Sequence, residues 1–468
     1  MTDFAALLRP NRGETARPLH LVDATLFPEW LKAHAGARKA LIEAARFEAK
    51  PGQVLVIPGP SPTADVEVLV GVARLASLTP WCLAAAAERL PEGTYRVAGE
   101  VAPGLSALGW LLAQHTRTTW KSKPDTPAGP RVLLSGEPAR VAEIVRLAEA
   151  TGQVRDLVDT PAGDLGPAEL EQAVRDWAKS AGAEVTVTKG DALAQGYPMI
   201  YAVGAAAEPS RAPRLIEATW GDPNHPRIAV IGKGVVFDSG GLDLKPAAGM
   251  RLMKKDMGGA AHALALARLI VGERLPVRLH LLIPAVENAV SGAAFRPGDI
   301  LRSRNGLRVE IDNTDAEGRL ILGDSLTRAG EEKPELIVDF ATLTGAARIA
   351  LGPDLPATFS NDDGFAAELL AAGTEVGDPL WRLPLWDGYD EMLKSELADL
   401  SNSADSPFAG TITAALFLRR FVPENTLWAH LDTFAWRPVP RPGRPKGGEA
   451  LGLRAVYSAL SARYTRRH

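Results

Sequence analysis

Two short stretches hold the residues best suited to chemistry. The first is Ile231-Gly232-Lys233-Gly234-Val235-Val236-Phe237-Asp238-Ser239-Gly240-Gly241, followed by Lys245 and Asp256. The second is Ile311-Asp312-Asn313-Thr314-Asp315-Ala316-Glu317-Gly318-Arg319-Leu320. Asp315 and Glu317 are two apart, and in an extended segment such residues project to one face, so both carboxylates could meet one ion. Each stretch alone has a plain alternative. Gly232-Lys233-Gly234 could be a tight turn with a solvated lysine, and the second stretch an acidic loop that caps a helix. A phosphate loop is excluded, because the upstream glycine and the Ser/Thr after the lysine are missing.

Taken together the stretches are more specific. Asp238, Asp256, Asp315 and Glu317 in one cleft would repel one another into protonation unless cations neutralise them. Two divalent ions would do so, and an oxygen-rich set suits Mn²⁺, Mg²⁺ or, at catalytic sites, Zn²⁺. Such a pair can acidify a bridging water and polarise a carbonyl, with Lys245 and Arg319 as fixed positive charges near a forming oxyanion. Histidine offers no rival site. The eight histidines include no HExxH pair or other zinc spacing, and a lone one on an apolar helix, such as His262, reads as structural.

These residues must be positioned by an α/β scaffold. Apolar runs at 184–188, 213–218, 227–231, 278–285 and 335–340 read as buried strands, with helices at 167–181, 257–272 and 320–331. That alternation argues for a mixed, largely parallel central sheet flanked by helices. Functional groups of such sheets gather beyond the carboxyl ends of the strands, which is where Lys233 and Asp238 fall. Upstream, 37–48 reads as a helix, 54–57 and 131–134 as strands and 138–151 as an amphipathic helix. The proline-rich stretch 121–130 reads as a linker or exposed loop, and 437–446 as an extended surface strip. The expected organisation is a smaller N-terminal α/β domain (1–120), a linker and connecting helix (121–154) and a catalytic domain (155–468).

The sequence resembles the leucyl aminopeptidase family, the cytosolic two-metal aminopeptidases. Asn313-Thr314-Asp315-Ala316-Glu317-Gly318-Arg319-Leu320 matches the family signature. GKGVVFDSGG at 232–241, Leu244-Lys245-Pro246 and Lys255-Asp256-Met257 follow the family's order and spacing. So do Ala341-Thr342-Leu343-Thr344-Gly345-Ala346, Gly410–Ala415 and Trp428–Asp432, and the resemblance spans roughly 155–455. It implies that Asp238 and Glu317 touch both metals, that Lys233 and Asp256 complete the tighter site and that Asp315 completes the more exchangeable one. A ligating Lys233 would have a strongly lowered proton affinity. Lys245 would polarise the scissile carbonyl. Arg319, with backbone near Leu343 and Gly345, would hold a bicarbonate that serves as general base. Met253 and Asn313 would lie beside the pocket for the first residue's side chain.

The implied activity is hydrolysis of the N-terminal residue, Leu or another apolar residue, from peptides with a free N-terminus, using Mn²⁺ or Zn²⁺, in a homohexamer. Three features depart from the family: Asp312 stands where an apolar residue is usual, 1–120 lacks a family motif, and the chain after 436 ends differently.

Composition fits a soluble globular protein with a sizeable core, and the single cysteine fits a reducing cytoplasm. Hydrophobic residues make up 46% and charged residues 23%, with a net charge of −4, which predicts no strong pull toward nucleic acid or anionic membrane. No secretory signal or membrane span is read, and a single cysteine, Cys82, read as a buried structural thiol, forbids an intramolecular disulfide. The alternative is a family-fold protein with a DNA-binding or regulatory role. Residues 419–468 hold 10 Lys+Arg against 3 Asp+Glu, a net of +7, whereas the intact set of seven ligand and catalytic positions favours an enzyme.

Overall fold

The computed structural model describes residues 2–59, 65–99, 101–116, 120–122 and 129–465. Most of the proline-rich stretch read as a linker, 123–128, lies outside the described residues. The chain divides into two compact units, Met1–Gly152 with Val439–Lys446, and Gln153–Pro438 with Gly447–His468. The first is built on a six-stranded sheet ordered Leu8–Pro10, Arg131–Ser135, Gly93–Val97, Arg17–Val22, Glu67–Gly71 and Val54–Ile57. All neighbours are parallel except the last pair.

The larger unit carries the candidate site. Its main sheet runs Trp381–Arg382, Ala357–Ser360, Leu427–Asp432, Leu336–Ala341, Arg227–Gly232, Arg278–Asn288, Arg214–Trp220 and Glu184–Lys189. The four strands from Leu427–Asp432 to Arg278–Asn288 are mutually parallel, and antiparallel strands flank them. The sheet is therefore mixed with a parallel centre, as the sequence predicts. Ile228–Ile231 is buried throughout because helices cover both faces. Ala229 and Ile231 pack into a core with Leu320, Ile321 and Leu322 of helix Glu317–Glu331. Helix Gly258–Glu273 packs against the same strand, and its side chains are buried nearly all round, as an apolar helix with no polar stripe must be. Two glycines permit its close approach: a Cβ on Gly232 would lie 2.5 Å from the Ala260 Cα, and one on Gly259 2.1 Å from the Phe340 carbonyl oxygen.

Several boundaries differ from the sequence reading. The helix expected over 37–48 is a single 3₁₀ turn, Gly36–Arg38, and a short helix, Lys39–Ala44, which stops before the left-handed residue Arg46 (φ +52°). The helix expected to end at 151 runs on through Gly152 to Asp159. Cys82 is half-buried, its sulfur accepting from the Thr79 amide at 3.2 Å. Within 437–446, Arg437 and Gly443 are buried, and only part of the segment lies on the surface. His262 is structural: Nδ1 lies 2.7 Å from the Gly258 carbonyl and Nε2 accepts from the Leu451 amide. Among the described residues no helix is long and apolar enough to cross a membrane.

Helix Glu317–Glu331 sets the pose of the second acidic stretch, and Asp324 fixes that helix. The Asp324 carboxylate is fully buried and accepts from the amides of Met199, Ile200 and Arg304 at 2.9, 3.3 and 2.8 Å. Burial pushes its carboxyl up to about 7 despite these donors. Asp324→Ala would leave two buried amides and a partly buried one unpaired, at about 1–3 kcal/mol for each buried amide. The expected outcome is a clear fall in the thermal unfolding midpoint. An unchanged midpoint by differential scanning calorimetry would show that these bonds contribute nothing net.

Candidate active site

Lys233 follows the last residue of strand Arg227–Gly232. Its backbone is pinned on both sides, the amide donating to the Phe340 carbonyl at 3.0 Å and the carbonyl accepting from Ala260 at 2.9 Å. Its ammonium, 3% exposed, sits 2.7 Å from Asp256 Oδ2 and 2.8 Å from Glu317 Oε1. Asp238 ends the short strand Gly234–Asp238, where its Oδ1 accepts from the Gly240 amide and Asn288 Nδ2, both at 2.9 Å. Lys245 bridges Asp238 Oδ2, at 2.8 Å, and Asp315. Asp256 lies in the 3₁₀ turn Met253–Met257 and accepts from the Thr342 hydroxyl at 2.8 Å.

Asp315 and Glu317 converge by a different route from the one expected. The segment before Glu317 is a turn, with Ala316 N donating to the Asn313 carbonyl, and Glu317 is the first residue of the helix. An extended strand is therefore not what aims the two carboxylates together. The turn and the helix start do so, and they also place an acid at the positive end of the helix dipole. Asp238, Asp315 and Glu317 each present an oxygen within 4.8 Å of the others.

The electrostatics are unbalanced. Burial, then the charge of Asp238, pushes the Glu317 carboxyl up to about 8, and the same two causes push Asp315 up to about 6. Burial opposes the charge on Lys233, but Asp256, Glu317 and Asp238 outweigh it and raise its proton affinity. This is the reverse of the lowered affinity that ligation would require. The lysine is here the counter-ion of the carboxylates. Glu317 Oε2 is buried with no hydrogen bond among the described residues. Two of the four carboxylates are held above the usual carboxylate range and a buried carboxylate oxygen lacks a hydrogen bond, and such an oxygen-rich donor set fits a divalent cation.

A cavity of about 500 Å³ collects these groups. Lys233, Asp238, Lys245, Met253, Asp256, Asn313, Asp315, Arg319, Leu343 and Gly345 all line it, while Glu317 lies buried at 1% exposure. Arg319 donates Nη1 to the Asn402 carbonyl at 2.7 Å, its Nε has no partner among the described residues, and burial lowers its pKa to about 10. A buried guanidinium with an unpartnered Nε, lining the same cavity as Leu343 and Gly345, fits a small oxyanion. Asp312 stands apart: it is exposed and faces a separate hollow with Glu391 and Lys394.

Sequence reasoning passed over the supports. Asn402 Oδ1 accepts from the amides of Asp312 and Asn313, and its Nδ2 donates to the Asn313 carbonyl at 2.7 Å. Asp432 accepts from the Leu343 and Thr344 amides and from the Thr344 and Thr411 hydroxyls. Asp432 stood in a conspicuous block at the end of a strand. Nothing near Asn402 marked it out.

Proteins of known structure share this architecture, and sequence relatives match most of the chain. A family model described as the cytosol aminopeptidase family, catalytic domain, matches residues 153–457, and one described as the M17 aminopeptidase, N-terminal domain, matches 17–129. A probable cytosol aminopeptidase of a Geobacter species is 39% identical over 468 residues, covering 93% of this chain and 94% of that one. Another, of Syntrophotalea carbinolica, is 45% identical over 332 residues, covering 70% of this chain and 66% of its own length. The crystal structure of the Coxiella burnetii cytosol aminopeptidase superposes with a TM-score of 0.91 at 43% identity, over 98% of this chain and 99% of that one. The bottromycin maturation enzyme BotP in complex with Mn gives 0.86 at 35%, over 96% and 100%. The chain belongs to the cytosol aminopeptidase family and is a peptidase, a hydrolase.

Gly318 tests the geometry. A Cβ there would lie 2.7 Å from Lys233 Cε and Nζ, so Gly318→Ala must displace the lysine, while alanine itself favours the helix. Mn²⁺ affinity by titration calorimetry is expected to fall at least about tenfold (about 1.4 kcal/mol), and the unfolding midpoint of the metal-free protein to fall as well, because the displaced ammonium no longer pairs with Asp256 and Glu317. Parental Mn²⁺ affinity would show that Lys233 need not keep this position.

Proposed function

We propose that the protein is a two-metal aminopeptidase that removes the first residue, Leu or another apolar residue, from peptides with a free N-terminus. The observation that carries this is the meeting of Asp238, Asp256, Asp315, Lys233, Lys245 and Arg319 around one cavity, with Glu317 buried against Lys233. Asp238 and Glu317 would serve both ions, Lys233 and Asp256 one, and Asp315 the other. Mn²⁺ is favoured by the Mn complex of a structural neighbour and Zn²⁺ is the other candidate. Bound there, two divalent ions supply Lewis acidity to a carbonyl and lower the pKa of water.

The chain's own residues do the rest. The Lys245 ammonium, released from Asp238 and Asp315 once these turn to cations, is a fixed donor for the oxygen that gains charge as the peptide carbonyl is attacked. Arg319 and the Leu343–Gly345 backbone would hold a bicarbonate, which supplies a general base. Met253 and Asn313 would flank the first residue's side chain. Residues 155–468 are the catalytic domain in this reading and 1–120 a separate N-terminal domain. A cytoplasmic homohexamer follows from the resemblance.

Chelation is expected to abolish release of leucine from Leu-Gly peptides, and Mn²⁺ or Zn²⁺ to restore it. An N-acetylated Leu peptide, which lacks a free amine, should not be cleaved. Full turnover after metal stripping, or efficient turnover of the acetylated peptide by amino-acid analysis, would refute the reading.

Lys245→Met should lower kcat by about 10²–10³ with little change in KM. Arg319→Ala should lose about 10²–10⁴ and, unlike the parent, gain nothing from added bicarbonate. A near-parental kcat for Lys245→Met, or equal bicarbonate stimulation of parent and Arg319→Ala, would show the roles to be misassigned.

A further inference from the structure

One wall of the cavity carries charge that the proposed chemistry does not use. Lys255, inside the turn Met253–Met257, is 5% exposed and lines the cavity. Its ammonium lies 3.4 Å from Asp256 Oδ1 and 5.5 Å from the ring centre of Phe434. The guanidinium carbon of Arg348 lies 4.9 Å from the same ring centre. Phe434 follows strand Leu427–Asp432 by two residues, and the chain turns at Ala435 (φ +53°). Lys255, Phe434 and Arg348 thus form an aromatic platform with two cations, all on the cavity lining.

The charge count then points to a ligand, resting on the two-metal reading. Two divalent ions would balance Asp238, Asp256, Asp315 and Glu317. Of the remaining charged lining residues, Lys245 and Arg319 have assigned tasks, and Asp432 is already met by four donors. Lys255 and Arg348 are left over. A buried ammonium whose only carboxylate neighbour among the described residues is drawn to a metal is costly unless an anion reaches it. Met253, the residue placed beside the first side chain, begins the turn that holds Lys255. The methylenes of Lys255 and the Phe434 ring accept an apolar side chain, and the ammonium accepts a carboxylate at its end.

We infer that Lys255, with Arg348 behind the same ring, makes the first-residue pocket carboxylate-accepting, so that peptides beginning with Glu are substrates and those beginning with Lys are disfavoured. The test compares kcat/KM of the Mn²⁺-loaded protein on Glu-Ala-Ala-amide, Gln-Ala-Ala-amide, Lys-Ala-Ala-amide and Leu-Ala-Ala-amide, whose blocked C-termini remove the other carboxylate. Glu should exceed its neutral isostere Gln by about tenfold (about 1.4 kcal/mol) or more, and Lys should be the poorest. Lys255→Met should bring the Glu/Gln ratio to within about twofold and improve Lys. Arg348→Gln, at an exposed position, should lower the ratio by less, and it decides the matter if Lys255→Met does not fold by circular dichroism. Gln equal to Glu in the parent, or a ratio that neither variant changes, overturns the inference. So does a parent that ignores Glu yet cleaves Leu-Ala tenfold faster than Leu-Ala-amide, since the cations would then serve the substrate's C-terminus. Failure to cleave Leu-Ala-Ala-amide at all would instead count against the aminopeptidase reading.

Discussion

Mutual repulsion of buried carboxylates is the constraint on which the rest of the structure depends. Asp238, Asp256 and Glu317 are each almost wholly buried, and Asp315 is partly so. A group of this kind destabilises any fold that cannot surround it with positive charge and donors. The surrounding design reads as a response. Lys233 and Lys245 reach across between pairs of acids. The Gly240 backbone amide and the Asn288 side-chain amide face Asp238, and the Thr342 hydroxyl faces Asp256. Even so, burial holds Glu317 and Asp315 above the usual carboxylate range. The compensation is incomplete in the bare protein, and that incompleteness would favour a bound cation.

The scaffold converts this local problem into a stiff geometry. Lys233 leaves a central parallel strand, Glu317 opens a helix packed on one face of the sheet, and Asp256 precedes the helix that packs on the same strand. Gly232, Gly259 and Gly318 let these elements approach to where a Cβ would collide. The acids are therefore set by main-chain packing, with little freedom left to their side chains.

Much of this was legible in the sequence. The near-continuous apolar runs located the central strands, since a strand covered on both faces has no polar side to show. The spacing of acids and lysines located the cavity residues, because their types are costly anywhere else. The supports were less visible for a physical reason. Asn402 and Asp432 act on backbone groups some 80–90 residues away, at separations of 89 and 89 for the Asn313 and Leu343 contacts, and such bonds leave no local pattern. The aim of Asp315 and Glu317 was misread in mechanism because turn and strand are hard to separate in a short polar segment, and the helix began earlier than its apolar period suggested.

Strand Leu427–Asp432 lies between Leu336–Ala341 and Ala357–Ser360, both earlier in the chain. On the ribosome, two open sheet edges must wait for a segment made about seventy residues later, an interval in which edges of that kind invite mispairing. The same strand ends in Asp432, which fixes the loop over Leu343 and Thr344. Sealing the sheet and finishing the cavity are thus one event late in synthesis, so that a nascent chain carries its acids but not yet the completed cleft of a peptidase.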